Sequence, residues 1–194
     1  MLFEYCLLAV VLGSVAVSLA YTAITGISPV SSTRQSRKRM LRSIPADQGG
    51  TIYELGAGWG AVAFPLARRC PDATVVAYEL SPVPWLYMKL CRMLFGPHNL
   101  KVRRRNFFRE NLAKASLVVC YLYPGAMEKL SSKLVLELEP RARVISNTFA
   151  IPSWTPQLVQ NLEDVMCPQV FHYEMHSVIA NIQQHIGVLS SIIG

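Results

Sequence analysis

The chain has 194 residues, 52% of them hydrophobic and only 16% charged, yet it carries a formal charge of +7. That length holds one domain of ordinary size with an appendage and excludes two full catalytic domains. The apolar content excludes a disordered chain. A charged fraction below the roughly 25% usual for soluble domains points to a buried or membrane segment beside a localised basic patch. The five cysteines, Cys6, Cys70, Cys91, Cys120 and Cys167, are odd in number and form no CxxC pair. They argue against a disulfide framework or a zinc site, so no metal is expected, and they read as single buried thiols.

The N-terminus accounts for much of the apolar content. After Glu4 no charge occurs until Arg34, and Tyr5 to Ile27 is an uncharged run of 23 residues. About 20 such residues cross a bilayer as a helix. Gly13, Ser14, Ser18 and Ala20 are small residues of the kind found where membrane helices pack, and Tyr5 and Tyr21 suit the interfaces. The competing reading, a cleaved signal peptide, wants positive charge before the apolar run. Here Arg34, Arg37, Lys38, Arg39 and Arg42 follow it. Positive charge on that side predicts one transmembrane helix, with the N-terminus outside and the remainder cytoplasmic, or on the matrix side in an organelle. The basic run then lies against anionic lipid headgroups, each cation contributing on the order of 1 kcal/mol, rather than against nucleic acid. The expected organisation is an anchor over 1–33, a basic juxtamembrane linker over 34–50 and a catalytic domain over 51–194.

From residue 51 the pattern alternates between strand and helix. Thr51–Leu55 is a short β-rich run ending in glycines, and Val62–Arg69 reads as a helix with Pro65 in its early turns. Thr74–Glu79 is a second strand. Pro82–Phe95 is a helix entered through Ser81 as N-cap with proline in its first turn. Leu100–Arg105 is a third strand, strongly basic, with Lys101, Arg103, Arg104 and Arg105 reading either as a solvated face or as a surface for a membrane or an acidic partner. Ser116–Leu122 is a near-continuous apolar run, as a central parallel strand requires. Gly125–Leu138 is a helix, and Arg143–Ser146 begins a fifth strand. Past Pro156 the signal fades: a helix is expected over Gln157–Asp164 and a strand over Val170–Met175, while Ser177–Gly194 fits either. The alternation predicts an α/β fold, a parallel sheet with helices on both faces.

The chemistry gathers at the end of the first strand, in Glu54-Leu55-Gly56-Ala57-Gly58-Trp59-Gly60-Ala61. Glycines there let the backbone turn tightly and let a ligand approach without a Cβ in the way. The spacing fits two cofactors. Gly56, Gly58 and Ala61 match the dinucleotide pattern G-x-G-x-x-G/A, while Glu54, Gly56, Gly58 and Gly60 match the E/D-x-G-x-G-x-G of S-adenosylmethionine sites. Glu54 favours the second, because a carboxylate meets the cationic ammonium of a methionine moiety but opposes an anionic pyrophosphate. Too few residues remain for the second domain of a dehydrogenase. Glu79, 19 residues after Gly60, ends the second strand, where an acid accepts from both ribose hydroxyls of either cofactor.

Residues 51–156 resemble the class I S-adenosylmethionine-dependent methyltransferases. More narrowly, they resemble the membrane-anchored protein-lysine methyltransferases of the ATP synthase c-subunit methyltransferase type. The resemblance rests on the N-terminal apolar run with its short linker, on YELGAGWG followed by AYELSP, and on NTFAIPSW. It implies a Rossmann-like methyltransferase sheet and S-adenosylmethionine as cofactor. Glu54, Gly56, Ala57, Gly58 and Gly60 would line the methionine side. Glu79 would hold the ribose, Leu80 would lie against the adenine, and Asn106 with Phe107 would stand where a polar side chain reaches the adenine amine. That position is often Asp, and the residue after the second glycine, often Asp in this family, is Trp59 here. Tyr121, Tyr123 and Pro124, at the end of the fourth strand, would orient the methyl acceptor.

Methyl transfer displaces a sulfonium in line, so the site must position and desolvate the nucleophile. A lysine acceptor must first lose a proton from a group whose ordinary pKa is about 10.4. Tyr121, Tyr123 and Trp154 offer oxygens and aromatic walls for that task; core or rim packing competes evenly for Tyr123 and is the favoured reading of Tyr121 and Trp154. His98, His172, His176 and His185 lack motif context and read as structural. The expected activity is methylation of a lysine in a membrane protein. The competing readings are methylation of a lipid headgroup or small hydrophobic molecule, and a non-catalytic nucleotide-binding membrane protein.

Overall fold

The computed structural model describes residues 4–5, 8, 12–13, 34–162 and 169–193. The run read as a membrane span lies mostly outside the described residues. Those of it that are described, including Tyr5, Leu8 and Leu12, are helical and exposed. Among the described residues no helix is long and apolar enough to cross a membrane.

Helix α1 (Arg34–Arg42) precedes the sheet. Then follow β1 (Gly50–Leu55), α2 (Ala63–Arg69), β2 (Ala73–Tyr78), α3 (Pro82–Phe95) and β3 (Leu100–Arg103). After a 3₁₀ turn at Phe107–Arg109 come β4 (Ala115–Cys120), α4 (Pro124–Glu137), β5 (Arg143–Asn147), β6 (Leu158–Asn161), β7 (Gln169–Glu174) and α5 (Met175–Ile193). The seven strands form one sheet in the order β3-β2-β1-β4-β5-β7-β6. The first five are parallel, and β7 runs antiparallel to both β5 and β6. This is the Rossmann-like sheet expected from the alternation, with the order reversing between β1 and β4. In open parallel sheets ligands bind beyond the strands' C-terminal ends at such a reversal.

Successive side chains on a strand point to opposite faces, and the core divides accordingly. Ile52, Val75, Ala77, Leu117 and Val119 face α1, α2 and α3, meeting Met40, Leu66 and Met88. Tyr53, Val76, Val118, Cys120 and Val144 face the other way, where Met127, Leu130 and Leu134 of α4 and Val178 of α5 cover them. Residues 34–42, expected within a linker, form a helix whose Ser36 and Met40 are buried. The basic side chains Arg34, Lys38 and Arg42 stay exposed on its other side. The helix expected over Gln157–Asp164 is corrected to strand: Leu158–Asn161 pairs antiparallel with β7. The partner strand satisfies the backbone of this short segment, so tertiary pairing overrides local preference. Residues 163–168 lie outside the described residues. The two-way reading of Ser177–Gly194 resolves as helix over the described residues, α5 running to Ile193.

The connection from β3 to β4 holds only the 3₁₀ turn, so among the described residues no helix lies over β1–β3 on the α4 side. A concavity of about 440 Å³ opens there, lined by Thr51, Thr74, Lys101, Arg103, Arg105 and Glu110 among others. On the opposite side Asn99 ties the strand entrances together. Its side-chain amide donates to the carbonyls of Ala67, Cys70 and Ala73 at 3.0, 2.9 and 2.9 Å. Replacing Asn99 by Ala strands these acceptors and is expected to lower stability by about 1–3 kcal/mol. The denaturant midpoint of Asn99→Ala against the parent chain measures it.

Candidate active site

Four strand ends build the site. Glu54 is the penultimate residue of β1, flanked in register by Ala77 of β2 and Val119 of β4. It is only 5% exposed, and its Oε2 has no hydrogen-bond partner. Burial, with repulsion from Glu79 added, pushes its pKa up to about 8. An ionised carboxylate buried in this way is costly without a cation, so Glu54 holds its proton until one arrives.

The glycine loop is pinned to β2. The amides of Gly56 and Ala57 both donate to the Tyr78 carbonyl, at 3.0 and 2.9 Å. Gly58 adopts φ +55°, and a Cβ built on it meets nothing within 4 Å. Its backbone therefore borders open space from which a ligand can reach the main chain. Gly60 has a different task. At φ +78°, a Cβ there would stand 2.8 Å from the Phe64 ring and 2.9 Å from Met88, so a side chain would drive α2 and α3 apart.

Glu79, just beyond β2, clamps the loop. One carboxylate oxygen accepts from the Gly58 amide and the other from the Ser81 amide, each at 2.7 Å. A carboxylate has about four lone-pair sites, so two remain for a pair of hydroxyls. The Ser81 contact is not legible in sequence, where Ser81 reads as a helix cap. It does occupy the N-cap position of α3, but its side chain makes no capping bond.

Leu80 and Asn106 come together as the sequence suggests. With Arg104, Arg105, Arg109 and Glu110 they line a concavity of about 430 Å³ beyond β2 and β3. Asn106 Oδ1 accepts from the Phe108 amide at 3.0 Å and so caps the 3₁₀ turn. Phe107 is buried, its ring 4.4 Å from that of Phe108. The arginines around this concavity were legible only as a basic run; their grouping beside Asn106 comes from the loop after β3.

At the end of β4, Tyr123 is 40% exposed and Pro124 opens α4. Tyr121 is half-buried with its ring 6.2 Å from Phe149. Trp154 is buried, edge-on to Tyr173 at 5.5 Å, and the Tyr173 hydroxyl accepts from the Ile151 amide at 2.9 Å. Tyr123 thus presents surface at the strand ends, whereas the Trp154 ring lies in the core. Cys120 is buried and its thiol is pushed up to about 12, which leaves it inert as a nucleophile. His98 lies in the turn after α3, His172 on β7 and His176 at the start of α5. Burial and then Arg143 push His172 below its ordinary pKa. Among the described residues no group of three His, Cys, Asp or Glu is placed to hold a metal.

A family model, the ANTKMT methyltransferase domain, matches residues 54–158. The chain belongs to this family. The match begins at Glu54 and takes in the glycine loop, Glu79, Asn106 and Tyr123. A protein-lysine N-methyltransferase of Saccharolobus islandicus is 29% identical over 133 residues, covering 66% of this chain and 80% of that one. The lysine N-methyltransferase of the ATP synthase c-subunit from Mus musculus is 36% identical over 121 residues, covering 61% of this chain and 46% of the mouse protein. The matched region thus spans about half the length of that mammalian relative. Among solved structures, an RNA methyltransferase from Salinibacter ruber in complex with S-adenosyl-L-homocysteine superimposes with a TM-score of 0.66 at 26% identity, covering 75% of this chain and 94% of that one. The cofactor of this ANTKMT-family domain is S-adenosylmethionine.

The residues present fit that cofactor. The orphaned Glu54 carboxyl answers an ammonium, the open face of Gly58 answers a close backbone approach, and Glu79 retains lone pairs for two hydroxyls. Two outcomes follow. Near pH 6.5 both Glu54 and the cofactor's amino group are protonated, so binding against an ionised Glu54 expels about one proton. Calorimetry in buffers of differing ionisation enthalpy reads that proton, and Glu54→Gln should abolish its release. For the protein without cofactor the sign is opposite. The raised pKa makes Glu54 contribute most to stability below about pH 4.5, a contribution lost as pH rises through about 8. Separately, Gly58→Arg fills the open face and Glu79→Ala unclamps the loop; each should reduce S-adenosylmethionine affinity at least about tenfold by titration.

Proposed function

We propose that this chain is an S-adenosylmethionine-dependent protein-lysine methyltransferase acting on a membrane protein. The observation that carries the reading is the buried, unpartnered Glu54 beside an open glycine backbone, a site shaped for a zwitterionic methionine moiety. The names of the Saccharolobus and mouse relatives favour lysine as acceptor. Glu54, Gly56, Ala57, Gly58 and Gly60 take the methionine side, Glu79 the ribose, and Leu80, Asn106 and Phe107 the adenine end. Methyl transfer itself needs little covalent help, because the sulfonium is already a good leaving group. The protein's task is to align the amine and strip its water. Tyr123, exposed at the end of β4 with Pro124 rigidifying its backbone, is placed to steer the amine. Tyr121, braced by Phe149, backs it, and Trp154 supports this wall from the core.

The uncharged run from Tyr5 to Ile27 supports a single-pass anchor, with the catalytic domain on the side of the basic helix α1, cytoplasmic or matrix. Tethering confines the enzyme to acceptors at the membrane surface and raises their effective concentration. Anionic headgroups suit the exposed cations of α1.

The test is transfer of labelled methyl groups from S-adenosylmethionine into a membrane fraction, separated into protein and extracted lipid. Label in protein lysines supports the reading, and label confined to lipid overturns it. Tyr123→Ala should lower kcat about tenfold or more while leaving cofactor affinity within about twofold, because the side chain faces the acceptor rather than the cofactor.

A further inference from the structure

Helix α3 is apolar on both sides. Pro84 and Met88 face the core, and Met88 is fully buried. At helical spacing on the outer side stand Leu86, Leu90, Met93 and Leu94, exposed by 50, 46, 70 and 72%, with Phe95 exposed at the C-terminal end. An amphipathic helix packed on a sheet should carry polar residues there. A contiguous exposed apolar face on a domain marks an interaction surface. The face continues to the glycine loop. Trp59, half exposed, meets Tyr87 of α3 edge-on at 5.4 Å.

Its electrostatic setting is one-sided. From Leu80 to Arg109 there are seven lysines and arginines and no acidic residue. Lys89 lies on α3 itself, its ammonium 5.2 Å from the Trp85 ring, and the Arg104 guanidinium lies over the same residue's ring at 5.9 Å. Trp and Tyr beside long aliphatic chains, rimmed by cations, is the composition of a surface that rests in a bilayer interface. The shape agrees. The face is one helix, which an acyl boundary accommodates, and neither concavity described above is lined by a residue of α3.

We infer that the outer face of α3, with Trp59 and Tyr87, docks the catalytic domain onto an anionic lipid bilayer and turns the glycine loop towards the membrane surface. The apolar side chains enter the interface, and the surrounding cations meet the negative headgroups. This contact is distinct from an N-terminal span: it orients the domain, whereas a span only retains it. It deepens the proposed reading by giving the site a fixed aspect towards acceptors in the membrane, but it is readable with no methyl donor present.

The test uses the full chain added from detergent to vesicles of equal phosphatidylcholine and phosphatidylglycerol carrying brominated acyl chains. Quenching of tryptophan emission reports insertion, and Trp59→Phe assigns the signal to Trp59. The expected result is strong quenching in the parent chain, lost by more than about half in Leu90→Glu/Leu94→Glu and weakened when phosphatidylcholine replaces phosphatidylglycerol. Leu136→Glu, on the still more exposed Leu136 of α4 (85% exposed), should leave it unchanged. Circular dichroism and S-adenosylmethionine affinity of the double variant should match the parent, since neither leucine belongs to the core or the cofactor site. Quenching that persists in the double variant overturns the inference. So does a parent chain that shows none, as when another protein, a second copy or the chain's own N-terminal run covers the face. So does a double variant that changes only the oligomeric state by light scattering. Failure of methyl transfer with quenching intact would instead count against the enzymatic reading alone.

Discussion

The ends of β1 and β2 are fastened to each other, and the site exists because of that fastening. The Tyr78 carbonyl receives the amides of Gly56 and Ala57, while Glu79 receives those of Gly58 and Ser81. Four backbone donors that would otherwise need water are thereby satisfied by two consecutive residues of β2 and its exit. The loop after β1 is consequently held open and the start of α3 is fixed against it. A ligand reaching this loop meets a preformed cradle and loses little affinity to ordering it.

That fastening also explains the electrostatics. Drawing β1 and β2 together buries Glu54 close to Glu79, and the protein leaves the Glu54 carboxyl without a partner. Stability gains nothing from such a group above neutral pH. A cofactor carrying an ammonium relieves the penalty, so part of the cost of burying that carboxyl returns as binding selectivity. A pyrophosphate would add negative charge beside two carboxylates, which is why a glycine loop shared by two cofactor classes serves only one of them here.

The same sheet has a heavily covered side and a lightly covered one. Three helices close the face that carries Ile52 and Val75, whereas the β3–β4 connection supplies only a 3₁₀ turn to the other face near β3. The acidic and basic side chains of β3 and its turn therefore line open concavities rather than a core. On the covered side, α3 presents apolar residues outward as well as inward. Helix α3 thus closes the sheet through Pro84 and Met88 while its outer side stays apolar.

Local sequence determined most of the parallel half of the sheet. Short β-rich apolar runs, glycine punctuation and proline-initiated helices are short-range signals, and β1, β2, α3, β4 and α4 follow them within a residue or two. The glycine loop and both acids were legible for the same reason, since a turn requiring positive φ leaves its mark on the residues that form it. Tertiary structure alone decided the rest. Leu158–Asn161 became a strand because β7 offered it hydrogen bonds. Arg34–Arg42 became a packed helix because Ser36 and Met40 found a surface to bury. Glu54 became a buried carboxyl because β2 and β4 flank it. Ser81 became a donor to Glu79, and Trp154 entered the core against Tyr173, because distant segments met there. Composition and periodicity act over a few residues, whereas burial, pairing and the charge state of a carboxyl depend on which remote segments surround it.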